Sequence, residues 1–152
     1  MLVLQVTLFP INLTNGIIPD LLLIIVLFSG LFEGSRSGLI SGFILGMIQD
    51  LLLGGMLGVF TITKTLLGGV SGLLKNKVYK SNYIIPPLLV LASSIVQEFL
   101  ILLLSKDLLF RVNYLEAFES SIFPFSLYNA VLSIIVYIGF YYLIYSGSYY
   151  YE

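Results

Sequence analysis

The sequence predicts an all-α integral membrane protein that folds as one compact bundle of about six transmembrane helices. Two observations carry this prediction. Of 152 residues, 59% are hydrophobic and only 10% are charged, whereas an ordinary soluble domain carries about 25% charged residues. Long apolar segments also follow one another with short polar breaks, and each spanning helix needs about 20 apolar residues. Lipid must therefore solvate most of the surface, and residues 1–152 are predicted to form a single transmembrane domain.

Six apolar segments define the predicted helices, and prolines and glycines mark several of their ends. Pro19 and Asp20 stand at the front of the second segment, where helix N-termini favour a proline and an acid. Gly54 and Gly55 end the third segment. The first segment ends at Pro10 and is shorter than a full span. The predicted helices cover residues 1–9, 17–32, 36–53, 57–74, 83–105 and 122–145.

A row of glycines organises the third segment. Gly34, Gly38, Gly42 and Gly46 are four residues apart, and Asp50 continues the row. Residues four apart share one face of a helix, and helices in lipid associate by close packing at small residues. The simplest interpretation is packing against the next helix of the same chain. The alternative is a docking face for a partner or for a second copy of the chain.

Four charged residues lie within or at the ends of apolar segments. Asp50 and Lys64 flank a tight glycine turn, and we expect them to meet as an ion pair, because a charge at the bilayer centre costs about 2.5–3.5 kcal/mol. The alternatives are polar contacts with a partner helix or a ligand, and proton-coupled transport. Glu98 is expected to hydrogen-bond across helices, or to serve as a proton site in a carrier. Asp20 is expected to cap a helix, with a partner contact as the alternative.

Composition argues against several classes of function. The chain contains no cysteine and no histidine, so the commonest general base and metal ligand is missing. The acids are scattered without metal-ligand spacing, and the sequence has no phosphate-binding or dinucleotide-binding glycine motif. With a net charge of −1 and no basic tract, nucleic-acid binding is not expected. We therefore predict that the chain is not an enzyme and has no catalytic residue, cofactor or metal site.

Basic residues in the polar breaks predict the orientation. If six helices span the membrane, the loops on one side hold Arg36 and three lysines between residues 75 and 80. The loops on the other side hold Lys106 and Arg111, which three acids partly offset. Lysine and arginine in short loops favour the cytoplasm, so both termini are predicted to be cytoplasmic. The N-terminus lacks the basic region and cleavage site of a signal peptide.

Sequence blocks in the middle of the chain carry a family resemblance. Residues 19–24 read PDLLLI, and residues 42–55 read GFILGMIQDLLLGG. Lys64-Thr65-Leu66 and the glycines between residues 68 and 72 follow. This ordered set resembles the rod shape-determining protein MreD family, whose members carry a PDLLLI signature and a GFxxGLxQDLLxG block.

The ends of the chain extend the same resemblance. Pro124, Tyr128 and Asn129 match a P…YN pattern in the family's last helix, and residues 5–10, QVTLFP, look like the end of its first helix. The first segment here is shorter than the family's usual first helix. The resemblance covers most of the chain, and residues 19–72 are its most specific part.

The resemblance implies a non-catalytic membrane scaffold of the bacterial cell-elongation complex. Its implied partner is MreC, and MreB, RodA and a penicillin-binding protein are further candidates, all at the cytoplasmic (inner) membrane. We expect MreC to contact the outer ends of the second to fourth helices, around Asp20, Asp50 and Lys64. The family's fold is similar to the S component of energy-coupling-factor transporters. A vitamin-binding S component is therefore the first alternative, and a small channel or proton-coupled carrier is a weaker one.

Overall fold

The fold is all-helical in the described part of the chain. A computed structural model describes residues 19–53, 58–75, 84–104 and 122–146, and these ranges contain no strand, as predicted. The helix predicted over residues 1–9 lies outside the described residues. The described helices are α1 (Leu21–Glu33), α2 (Ser35–Leu53), α3 (Val59–Leu73), α4 (Ile85–Leu104) and α5 (Phe123–Ser146).

Helix α1 is the centre of the bundle. It contacts each of the other described helices, and its apolar side chains are buried around most of its circumference. Because it has no broad polar face, α1 is a core helix in the sense expected of an element that is apolar all round. Its buried residues are Leu22, Leu23, Ile24, Val26, Leu27, Phe28, Gly30 and Leu31.

A single glycine joins α1 to α2. The N–H of Gly34 donates to the carbonyl of Gly30 at 2.8 Å, and Gly34 has φ +110°, a conformation that side chains with a Cβ rarely adopt. Helix α2 starts at the next residue. Gly34 was predicted to belong to the helical glycine row; instead it forms the joint, and its backbone packs against Gly72 of α3.

The rest of the glycine row packs against α3, within the same chain. A Cβ built on Gly42 would lie 2.8 Å from the Cα of Thr65, and one built on Gly46 would lie 2.5 Å from the Cα of Thr61. These distances are shorter than real Cβ contacts, so any larger residue would force the helices apart. The pairing of high with low residue numbers makes α2 and α3 antiparallel.

Three helices meet at one glycine contact. A Cβ on Gly38 would lie 2.9 Å from the Cα of Gly30 in α1 and would overlap the carbonyl of Gly68 in α3. A Cβ on Gly68 would lie 2.7 Å from a side-chain methyl of Val26. The close approach of backbones explains how α1, α2 and α3 form one tightly packed unit.

The outer face of α2 is apolar and open. Phe43 is 50% exposed and Leu51 is 66% exposed. Helix α2 is long and apolar enough by itself to cross a membrane, and only 28% of its apolar stretch is buried. Monomeric soluble proteins rarely expose apolar patches of this extent. The same side also carries Leu39, Ile40, Ile44, Met47, Ile48 and Leu52.

We predict that Gly42→Leu destabilises the bundle. The new side chain would overlap the α3 backbone, and overpacking a tight contact costs about 1–3 kcal/mol or more. Thermal unfolding in detergent, followed by circular dichroism, measures the effect. Gly139→Leu is the matched control, because a Cβ at Gly139 would meet nothing within 4 Å. Equal melting temperatures for the two variants would contradict the packing described here.

Candidate functional site

Five buried side chains from four helices form what we call the polar centre. They are Asp20 at the start of α1, Lys64 of α3, Ser94 and Gln97 of α4, and Asn129 of α5. Asp20 is 6% exposed, and Lys64 has no exposed surface at all. Buried polar groups in an apolar bundle must satisfy one another, and the hydrogen bonds of the polar centre do so.

Lys64 forms an ion pair with Asp20. Its ammonium Nζ contacts the Oδ2 atom of Asp20. The Oδ1 atom of the same carboxylate accepts a hydrogen bond from the N–H of Leu23 at 3.0 Å, which is the bonding of a helix N-cap. One carboxylate therefore caps α1 and neutralises the buried lysine of α3.

The predicted ion pair between Asp50 and Lys64 is wrong. Helix α2 lies against the backbone of α3 at Lys64, because Gly42 packs on the Lys64 carbonyl. The Lys64 side chain extends to a different side, toward α1 and α4, where Asp20 and Gln97 lie. Residue spacing placed both charges near one end of the bundle but did not determine which helix faces the lysine.

Asp50 caps α3. Its Oδ1 atom accepts from the N–H of Phe60 at 3.1 Å, and its Oδ2 atom accepts from the N–H of Thr61 at 2.9 Å. The Thr61 hydroxyl also donates to Oδ2, at 2.5 Å. These N–H groups belong to the first turn of α3, where backbone N–H groups have no hydrogen-bond acceptors inside the helix. A carboxylate is also stabilised by the positive end of the helix dipole.

Two amide side chains complete the polar centre. Gln97 donates from Nε2 to Asp20 Oδ2 at 3.0 Å and accepts from Lys64 Nζ at 3.5 Å. Asn129 accepts from the N–H of Asp20 at 2.8 Å and donates to the hydroxyl of Ser94 at 2.9 Å. The network therefore links α1 and α3 to α4 and α5, and its donors and acceptors are occupied by one another.

Glu98 and Gln49 lie outside this network. Glu98 is half-buried on α4, close enough to Lys64 and Asp20 to interact with both charges. Gln49 of α2 is 7% exposed, and its Oε1 atom has no hydrogen-bond partner among the described residues. Within the same ranges, no group of three acidic, cysteine or histidine side chains is placed to hold a metal ion.

The comparison with protein families identifies the chain's relatives. The family model of the rod shape-determining protein MreD matches residues 1–146. The chain belongs to the MreD family. Searches of the curated proteins and of the solved structures gave no match. As a member of the MreD family, it is a membrane-associated bacterial protein that acts in rod-shape determination and associates with the rod-shape complex.

Sequence reasoning gave no role to three members of the polar centre of this MreD-family chain. Gln97 lies beside Glu98 but was not among the predicted site residues, and Asn129 entered only through the family's P…YN pattern. An amide in the middle of an apolar span is itself a signal, because it needs partners inside the bundle. Ser94 carried no such signal, since serine is common at helix contacts in membranes.

Because Asp20 and Lys64 form a buried ion pair, we predict that substitutions at these two residues have strongly non-additive effects on stability. Lys64→Met leaves the Asp20 carboxylate buried without a counter-charge, and breaking a buried pair in this way costs about 3–5 kcal/mol. Adding Asp20→Asn removes that charge, and asparagine still caps a helix. The double variant should therefore be more stable than Lys64→Met alone, as measured by thermal unfolding in detergent.

Asp50→Asn provides the control for that cycle. Because Asp50 makes no ion pair with Lys64 and stays bonded to the first turn of α3, Asp50→Asn should rescue Lys64→Met far less than Asp20→Asn does. Rescue by Asp50→Asn, without rescue by Asp20→Asn, would contradict the pairing seen in the structure.

Because Asp50 caps α3, we predict that Asp50→Ala affects the first turn of α3 locally. The first turn of α3 loses its acceptor, and loss of an N-cap costs about 0.5–2 kcal/mol. Hydrogen exchange followed by mass spectrometry should show faster exchange at Phe60 and Thr61. Asp50→Asn should retain most of the protection, and the first turn of α1 should not change. Equal exchange at Phe60 and Thr61 in Asp50→Ala and the parent chain would rule out this role.

Proposed function

We propose that this chain is a non-catalytic scaffold of the rod complex, which spans the bacterial cytoplasmic membrane several times and binds MreC. The family match over residues 1–146 carries the proposal. In this role the bundle contributes to control of cell shape and of lateral peptidoglycan synthesis by holding other proteins in place. MreB, RodA and a penicillin-binding protein are further candidate partners.

The surface of the bundle supports its position inside the bilayer. Apolar side chains are exposed on each of the outer helices, among them Phe43 of α2, Leu66 of α3, Phe99 of α4 and Ile135 of α5. In water this surface would be unfavourable, whereas lipid tails solvate it. We further propose six spans, with both termini in the cytoplasm, in a fold like that of energy-coupling-factor S components.

The polar centre supports a scaffold because its polar groups are engaged with one another. Asp20, Lys64 and Gln97 form one closed network, and Asp50 is occupied by the N-terminus of α3. A catalytic or ligand-binding site needs polar groups that turn toward a substrate. In this conformation Asp20, Lys64 and Asp50 hold helices together, and their burial makes these three side chains unavailable as direct contacts for MreC.

Partner contact is therefore assigned to the exposed sides of the helices, and not to the side chains of Asp20, Asp50 and Lys64 as the sequence suggested. Between helices in lipid, association depends on shape and close packing. A fixed arrangement of α1, α2 and α3 presents such a shape. Two alternative functions remain: a vitamin-binding S component and a proton-coupled carrier that uses Glu98. The first needs a bound ligand and the second a proton flux, and neither follows from the closed network itself.

Site-specific photo-crosslinking with co-purified MreC tests the proposal. A photoreactive amino acid is placed at one exposed position on each outer helix: Ile44 of α2, Ile62 of α3, Val96 of α4 or Ile135 of α5. We expect MreC to co-purify, and to cross-link strongly from one helix face and weakly from the others. An unrelated single-span membrane protein at the same level is the control. Failure to co-purify, together with equal cross-linking to MreC and the control, would reject MreC binding.

Mass spectrometry of small molecules released from the purified chain tests the first alternative. A scaffold should release no vitamin in stoichiometric amount. One molecule per chain would favour the S-component function instead. Proton flux in proteoliposomes that is lost in Glu98→Gln would favour the carrier.

A further inference from the structure

The described helices divide into two units that are held together differently. Helices α1, α2 and α3 form the first unit, where backbones approach closely at Gly30, Gly38, Gly42 and Gly68. Helices α4 and α5 pack on each other and form the second unit, in which Asn129 donates to Ser94. Packing between the two units is less extensive than packing within the first unit. We call the boundary between them the seam.

Between the described helices, polar and apolar contacts cross the seam. In the polar centre, Gln97 of the second unit bonds to Asp20 and Lys64 of the first, and Asn129 accepts from the N–H of Asp20. Nearer the other end of α1, Phe28 meets Tyr137 edge-to-face, with ring centroids 6.0 Å apart. Large apolar side chains, including Val90 of α4, fill the rest of this side of α1.

We propose that the bundle opens along the seam, between the α1–α3 unit and the α4–α5 pair, with the polar centre as its latch. The location of the charges makes this the favourable line of opening. Asp20 and Lys64 both belong to the first unit, so their ion pair stays intact when the units separate. Opening breaks hydrogen bonds to neutral side chains and moves Glu98 of α4 away from the pair, but it leaves Asp20 and Lys64 paired with each other.

Replacement of helix contacts by lipid also favours separation at the seam over separation at the glycine contacts. A lipid tail is as apolar as leucine, so it can replace Val90 or Phe28 contacts at little cost. It cannot fit between backbones that touch at Gly38 and Gly68, and separating those helices would leave unfilled space. The first unit therefore moves as a rigid body while the α4–α5 pair moves relative to it.

Distances between spin labels in the isolated chain test the proposal. The chain has no cysteine, so pairs of introduced cysteines are labelled specifically, and double electron–electron resonance in lipid nanodiscs reports their separation. Ile44→Cys with Ile135→Cys measures across the seam. Ile44→Cys with Val70→Cys measures within the first unit, and Val96→Cys with Ile135→Cys measures within the second. All four positions are exposed.

Substitutions that weaken the latch should change only the distance across the seam, between the labels at Ile44→Cys and Ile135→Cys. Gln97→Leu removes a hydrogen bond to a carboxylate, which should shift the ratio of long to short seam distances by about tenfold or more. Asn129→Ala is a second variant that leaves the Asp20–Lys64 pair and Gln97 in place. Both within-unit distances should stay narrow and unchanged in either variant.

One result would overturn the proposal: a narrow seam distance in the parent chain that no folded latch variant lengthens or broadens. Broadening of the within-unit pairs along with the seam pair would also overturn it, because that pattern means general loosening. Since no partner is present in the sample, the outcome is independent of MreC binding. Failure of co-purification and failure of opening therefore lead to separate conclusions.

Discussion

The structure depends on one buried charge. Lys64 carries an ammonium group with no exposed surface, and an ion in an apolar interior is costly unless it is paired and hydrogen-bonded. Asp20 supplies the counter-charge at the first turn of α1, where it also caps the helix. This pairing fixes the start of α1 beside the middle of α3. Gln97 and Asn129 then satisfy the remaining groups of Asp20 and position α4 and α5.

The glycine row and the ion pair are two consequences of one packing arrangement. Because Gly42 lets α2 lie directly on the backbone of α3 at Lys64, that side of α3 has no room for a long side chain. The lysine side chain must leave on another side, and there it meets the N-terminus of α1. Small residues on α2 therefore determine where a charge on α3 is neutralised. Neither feature explains the bundle alone.

Some of this arrangement could be predicted from sequence, and the limit has a physical cause. Composition predicted helices in lipid, and the four-residue spacing placed Gly38, Gly42 and Gly46 on one face, because periodicity along a helix determines its own faces. It does not determine which neighbour covers each face. The partner of Lys64 was therefore assigned to Asp50, which lies across the nearest turn, whereas the lysine reaches back 44 residues to Asp20.

The internal use of the charges constrains how an MreD-family chain can recognise other proteins. If Asp20, Lys64 and Asp50 are engaged inside the bundle, recognition within the membrane must come from the shape of apolar helix faces. Such faces have no hydrophobic preference for a protein over lipid, so their fit has to be close, and a small change in the relative position of helices alters it. A rigid α1–α3 unit beside a separable α4–α5 pair combines both requirements. One surface has a constant shape, and the shape of the other depends on a few hydrogen bonds from the neutral side chains Gln97 and Asn129.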